Sequence, residues 1–278
     1  MSTLVSVVVP VFNGMPHLKD LTESILSQTH TDLDIVFSEG GSTDSSPEYL
    51  ASITDPRVRV IRQEGTGAAG NWTNATQAAK AEVIKLVCQD DLLKPDAIAK
   101  QLEDLTKYPK AVMAIAQRDI VDAKGQVLYP SRGCAGLKPG AIDGPEVIKT
   151  CYLQGTNVLG EPVSVLFRAE PLRASLPWVD SNPLVLDLDM YAKVAEHGQI
   201  MVRKESVGAF RVSTSSWSTR LVKQQVEQYR RWQQEYATKN HPTKAEQGRA
   251  AIGLHAQATL RRAAYRWLSF KGSFRSSV

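Results

Sequence analysis

Two acidic stretches carry the residues best suited to chemistry. The apolar run Val83 to Cys88 leads directly into Gln89-Asp90-Asp91. Carboxylates at the end of a strand are a common protein contribution to a hard divalent cation, which takes oxygen ligands and shares them with phosphate. The competing reading is that the acidic pair only caps a helix. Further on, Asp187 opens an amphipathic stretch with Met190 and Val194 on its inward side. A helix N-terminus favours the ionised carboxylate, and a carboxylate aimed into a cleft can take a proton from a hydroxyl. The competing reading is again an N-cap. Asp189, two residues on, points elsewhere around the helix.

The elements that must position these groups follow from periodicity. Leu4 to Val9 is β-branched and ends in the breaker run Pro10-Val11-Phe12-Asn13-Gly14, which predicts a buried strand. Leu18, Leu21 and Ile25 then recur at helical spacing behind Pro16. Leu33 to Phe37 predicts a second strand, Pro47 to Ser52 a short helix and Arg57 to Ile61 a third strand. A helix is expected over Asn71 to Ala81, a fourth strand over Val83 to Cys88, a helix over Pro95 to Lys107 and a strand near Ala111 to Ala116. The alternation implies parallel pairing with helices on both faces. In such a sheet ligands bind outside the carboxyl ends of the strands, and three of those ends carry Pro10-Val11-Phe12, Glu39-Gly40-Gly41 and Asp90-Asp91. Between Gly125 and Pro145 the pattern loosens, where an acceptor-binding insertion is expected. A helix over Leu186 to Glu196, strands between Ile200 and Val212, and two helices broken at Asn240-His241-Pro242 complete the reading.

The 278 residues suffice for one α/β domain with an extension, and 42% apolar against 22% charged residues describe an ordinary globule. No apolar run is long enough for a membrane span, and Met1 to Pro10 lacks the features of a secretory signal. Cys88, Cys134 and Cys151 have no paired spacing, which argues against a disulfide framework or a cysteine zinc site. A cytoplasmic setting is expected. The net charge of +4 is uneven: Leu221 to Val278 holds 11 Lys and Arg against 3 Asp and Glu, leaving the remainder acidic. An acidic body with a basic tail excludes a nucleic-acid binder more readily than an enzyme with a docking segment.

With these motifs in order, the chain resembles the family 2 glycosyltransferases from Val5 to about Trp217. Ser6 to Gly14, Ser27-Gln28-Thr29, Gly41 to Ser46, Ala69-Gly70-Asn71 with Ala79, Gln89-Asp90-Asp91 with Pro95, and Asp187 to Tyr191 match in sequence. The resemblance implies an α/β fold of the GT-A type, Rossmann-like, with a mostly parallel sheet flanked by helices. Residues 1–110 would form the nucleotide-sugar half, 111–217 the acceptor half and 218–278 a basic helical extension. It implies inverting transfer from a nucleoside diphosphate sugar to a hydroxyl of a glycan or lipid-linked acceptor in surface polysaccharide synthesis, dependent on Mn2+ or Mg2+. Pro10, Phe12, Glu39, Gly67, Asn71, Gln89, Asp90 and Arg211 would contact the donor, Phe12 stacking on the base and Glu39 bonding to it. Asp90 and Asp91 would hold the metal, and Asp187 would be the base. The chain departs from the family at Gly40, Gly70, Cys88 and Ser213, where an acid, an arginine, an acid and a histidine are usual. These departures motivate a second expectation, a relative that binds nucleotide sugar without turnover.

Three further signals need weighing. Gly65-Thr66-Gly67-Ala68-Ala69-Gly70 fits a dinucleotide fingerprint, yet it sits in the third strand-helix unit with Arg62-Gln63-Glu64 intervening; a loop over the nucleotide sugar is the preferred reading. Gln228-Tyr229-Arg230-Arg231-Trp232 fits the Q-x-x-R-W signature of processive polysaccharide synthases, against the plainer expectation of a half-exposed helix with Trp232 turned inward. Residues 260–278 combine Arg261, Arg262 and Arg266 with apolar side chains, which suits either peripheral contact with an anionic membrane or packing against the domain or a second copy.

Overall fold

The computed structural model describes residues 3–63, 65–212 and 222–270, the last segment with side chains over 224–263. The first half alternates as expected: β1 (Val5–Val11), α1 (His17–Leu26), β2 (Leu33–Glu39), α2 (Ser46–Ala51), β3 (Val58–Arg62), α3 (Gly67–Ala78) and β4 (Val83–Leu86). There follow β5 (Leu92–Leu93), α4 (Ala97–Lys107), β6 (Ala111–Val121), β7 (Val127–Arg132), β8 (Gly140–Asp143), α5 (Gly144–Gln154), β9 (Val165–Arg168), α6 (Ala169–Ala174), α7 (Leu186–Ala195) and β10 (Gln199–Arg211). Two helices, α8 (Val222–Asn240) and α9 (Lys244–Phe270), close the described chain.

The ten described strands form one sheet, ordered β3-β2-β1-β4-β9-β6-β10-β5, with β7 on β6 and β8 on β10. The pairs β3-β2, β2-β1 and β1-β4 are parallel. Beyond them β9 lies antiparallel to both β4 and β6, so the second half of the sheet is mixed. Val7 and Val9 face one apolar layer with Leu18, Leu21, Ile25 and Ile98, while Val8 faces the other with Leu188, Tyr191, Tyr229 and Trp232. That split is the two-residue alternation of a strand covered on both sides. Pro10 is buried within β1 opposite Ser38, past the last residue of β1 paired with β4, so its missing N–H leaves that ladder intact.

Several expectations change. The helix expected from Asn71 begins at Gly67, so only the front of the glycine-rich run is loop. The loosened stretch holds β7, β8 and the start of α5, and the strands expected between Ile200 and Val212 are one strand whose pairing shifts register near Arg203–Ser206. β3, which precedes the Gly65 run, is an edge strand rather than the central one that dinucleotide-binding folds use.

The C-terminal helices pack on α5. Tyr152 and Tyr236 stack with ring centroids 4.5 Å apart, and Gln233 Nε2 donates to the carbonyls of Tyr152 and Ala250. Trp232 is buried and Arg230 and Arg231 are exposed, the plainer of the two expectations for that motif. No described helix is long and apolar enough to cross a membrane. The boundary expected at 217, Ser213 and most of the expected membrane-docking segment lie outside the described residues and side chains. Within that segment, Arg261 bonds to Thr156 Oγ1 at 2.9 Å.

Candidate active site

The carboxyl ends of β1, β2 and β4 lie side by side, and their loops build one another. Asn13 Oδ1 accepts from the N–H groups of Thr43 and Asp44 at 2.8 and 3.3 Å. In return the N–H groups of Asn13, Gly14 and Met15 donate to Ser42 Oγ, Ser46 Oγ and Asp44 Oδ2. The Gly41–Ser46 motif is thus the scaffold of the loop that presents Phe12, whose side chain is 56% exposed. An exposed ring on a clamped backbone is a stacking platform.

Gln89 and Arg211 both bond to the protein's own main chain. Gln89 Oε1 accepts from Phe12 N–H at 2.7 Å and Gln89 Nε2 donates to Phe12 O at 2.8 Å, so the amide holds the Phe12 backbone. The Arg211 guanidinium is only 2% exposed and donates to Asp90 O, Ala123 O and Asp20 Oδ2 at 2.9 to 3.0 Å. Every one of these partners belongs to the protein, so Arg211 braces the β4 end.

Glu39 is buried and its Oε1 accepts from Gly41 N–H and Ser42 N–H, while Oε2 lies 3.9 Å from Arg62 Nε. Asn71 is buried on α3, donates from Nδ2 to Val11 O at 3.1 Å, and has no protein partner for Oδ1. The glycine at 40 acquires a reason here: a Cβ there would stand 2.9 Å from Asn71 Nδ2. Gly67 is exposed at φ +64 in the first turn of α3, with nothing within 4 Å of an added Cβ.

Asp90 and Asp91 differ sharply. Asp90 is half-buried; burial raises its pKa and the Arg211 charge opposes the rise. Asp91 is sealed from solvent, accepts from Arg211 N–H through Oδ1, and leaves Oδ2 without a partner. Burial, with the charges of Asp90 and Glu161, pushes its pKa well up. The Asp91 carboxyl, expected to hold the metal with Asp90, thus lies beneath the surface.

The remaining donors fit a divalent cation in one mode. Among the described residues no group of three or more His, Cys, Asp or Glu could hold a metal. Asp90, half-buried and, among the described residues, with no cationic side chain bonded to its carboxylate, suits a cation that takes its other ligands from phosphate and water.

Asp187 sits in the first turn of α7, half-buried. Its Oδ2 accepts from Asn157 Nδ2 at 2.9 Å and its Oδ1 from Leu188 N–H at 2.8 Å. The helix terminus is outweighed here: burial, then the nearby Glu161 charge, pushes its pKa up to about 7. Burial, and then the charges of Asp91, Asp90, Asp187 and Glu161, push the pKa of the Cys88 thiol well up.

Three contributors had no signal in the sequence beyond composition. Asn157 holds Asp187, while Glu161 pairs with the buried Arg118 on β6. Gly160, at φ +93, lies between them; an added Cβ would meet Ser164 Oγ at 2.8 Å.

This fold and site define a GT-A-type α/β protein with its acids at strand ends, and the chain belongs to glycosyl transferase family 2, whose family model matches residues 6–158. It is 41% identical over 101 residues to the glycosyltransferase GlyG of Streptococcus pneumoniae serotype 4, a match covering 35% of this chain and 34% of that one. It is 29% identical over 127 residues to a chondroitin synthase of Escherichia coli, covering 45% of this chain and 18% of that one. The chain thus matches well under half the length of these curated relatives. Among solved structures, residues 1–349 of S. aureus TarS superpose with a TM-score of 0.60 at 14% identity, covering 81% of this chain and 64% of that one. The mannosyltransferase PcManGT of Pyrobaculum calidifontis, in complex with GDP-Man and Mn2+, gives 0.60 at 17% identity over 99% of this chain and 85% of that one.

Proposed function

We propose that the chain transfers a sugar, with inversion, from a nucleoside diphosphate sugar to a hydroxyl of a glycan or lipid-linked acceptor. The observation that carries this reading is the two-bond pairing of Phe12 with Gln89, which sets an exposed ring beside half-buried Asp90, the acid suited to a cation. Phe12 offers its exposed ring to the base of the donor, and the Gln89 amide keeps that ring in place. A divalent cation, Mn2+ or Mg2+, held by Asp90 would stabilise charge on the departing diphosphate. Asp187 takes the proton of the attacking hydroxyl, and its pKa of about 7 matches a base working near neutrality. With one base and no second carboxylate assigned as nucleophile, direct displacement inverts the sugar's configuration. The UDP-GlcNAc complex of TarS and the GDP-Man and Mn2+ complex of PcManGT support the donor class, and the chondroitin synthase relative supports a glycan acceptor.

Thermal stabilisation against UDP, GDP, dTDP, CMP and NAD, each with and without manganese, tests the donor site. A manganese-dependent shift with one nucleoside diphosphate is expected; a shift with NAD alone overturns the reading. Cys88 in place of an acid favours a second reading, binding without turnover. Release of nucleoside diphosphate from the donor that stabilises the chain separates the two.

A further inference from the structure

The Q-x-x-R-W helix and the basic C-terminal helix have no part in the reading so far, yet both touch the two segments that hold Asp187. The first segment is the turn Pro183–Val185 entering α7. Gln228, on α8, accepts from Leu184 N–H through Oε1 at 2.8 Å. The second segment follows α5, which ends at the left-handed Gly155 and leads into Thr156 and Asn157. Arg261, on α9, donates to Thr156 Oγ1 at 2.9 Å, and the next residue, Asn157, donates to Asp187 Oδ2 at 2.9 Å.

Both helices are fixed firmly enough to act as supports. Tyr229 is buried and its hydroxyl donates to Cys151 O at 3.1 Å. Gln233 links α8 to both α5 and α9 through the Tyr152 and Ala250 carbonyls. Where α9 crosses the end of α5 the backbones nearly touch: a Cβ on Gly155 would stand 2.3 Å from Leu254 N, and one on Gly253 would stand 2.5 Å from Leu153 O. A crossing this close leaves little room to slide.

We propose that the C-terminal helix pair is a positioning device for Asp187, with Gln228 setting the entry of α7 and Arg261 setting the Thr156-Asn157 segment that bonds the carboxylate. This rests on the reading of Asp187 as base. It gives Gln228 of the Q-x-x-R-W match a role through the backbone of the α7 turn, while Trp232 of the same match is buried in the core. It also makes residues beyond those matched by the family model part of the working site. A base displaced by about 1 Å loses up to about 100-fold in rate while donor binding at the β1 and β4 ends is untouched.

The test uses the full chain and the nucleoside diphosphate sugar selected by thermal stabilisation, with nucleoside diphosphate release as the rate. Gln228→Met and Arg261→Met should each lower kcat at least tenfold with the KM for donor unchanged. Gln228→Glu keeps an acceptor for Leu184 N–H and Arg261→Lys keeps a donor for Thr156, so both should retain most of the rate. Amide hydrogen exchange provides a second reading: Leu184 should exchange faster in Gln228→Met and at the original rate in Gln228→Glu. Wild-type kcat and exchange in both methionine variants, beside an inactive Asp187→Asn, overturn the positioning role alone. Full turnover by Asp187→Asn removes the base reading and this proposal with it. Equal losses in kcat and in donor binding mark general destabilisation and also overturn it.

Discussion

The Gln89 side-chain amide pairs with both polar atoms of the Phe12 main chain, accepting at 2.7 Å and donating at 2.8 Å across 77 positions of sequence. That contact ties the end of β1 to the acids at the end of β4. If Phe12 is the stacking surface for the donor base, Gln89 acts through it. Phe12→Ala should weaken nucleoside diphosphate binding by about 1–3 kcal/mol, the usual worth of a base stacked on an aromatic ring. Gln89→Leu should weaken it about tenfold and should cost nothing further in the Phe12→Ala background. Calorimetric titration of the two single variants and the double variant measures that coupling.

Asp187 has two pH signatures of opposite sense. Its carboxyl rises from 3.8 to about 7 on folding, so the folded chain keeps a proton that the unfolded chain releases. The resulting penalty to stability is absent below pH 3.8, grows through the interval and is complete above about 7. Asp187→Asn should therefore gain little in Tm at pH 4 and most at pH 8. Activity runs the other way, since the base must be ionised: kcat/KM of the wild type should climb with pH through about 7, and Asp187→Asn should be inactive with donor affinity intact. A flat pH profile in an active wild type removes Asp187 from the mechanism.

Asp90 and Asp91 are adjacent in sequence and separated in role by burial. Asp90→Asn should abolish the manganese dependence of nucleotide stabilisation. Asp91→Asn keeps an acceptor for Arg211 N–H and takes an unpartnered buried acid out of the interior. It should keep the manganese response and raise Tm more at pH 8 than at pH 4, because burial disfavours the acid once the unfolded chain has released its proton. Thermal melts of the two variants with and without manganese separate the assignments, and loss of the response in both would return Asp91 to the metal.

The strand-end residues were legible because each rests on local pattern. The alternation in Val5 to Val9 and the breakers after it place Phe12, and the runs ahead of Glu39 and Asp90 do the same. What stayed hidden is non-local. Arg118 finds Glu161 because β9 inserts antiparallel between β4 and β6, and a four-residue strand inside a Gly- and Pro-rich region leaves no periodic trace. Asn157 reaches Asp187 across 30 positions by the same folding of the second half. The motif residues Gln89 and Arg211 sit at the site, yet the side chains serve the scaffold, a distinction set by hydrogen-bond partners and invisible to residue type.

Gly40 offers a test of that scaffold independent of any ligand. Asn71 reaches Val11 O only because position 40 has no side chain; a Cβ there would stand 2.9 Å from Asn71 Nδ2 and 3.2 Å from the same Val11 oxygen. Gly40→Ala must displace the amide, breaking its one bond and leaving a second buried polar atom unpaired beside Asn71 Oδ1. Such a loss costs about 1–3 kcal/mol, which heat denaturation reads as a drop of several degrees in Tm. Asn71→Ala removes the obstructing amide, so Gly40→Ala should cost distinctly less in that background than in the wild type. Equal costs in the two backgrounds would place the constraint at the Val11 carbonyl instead, and Asn71 would then be free to serve the donor alone.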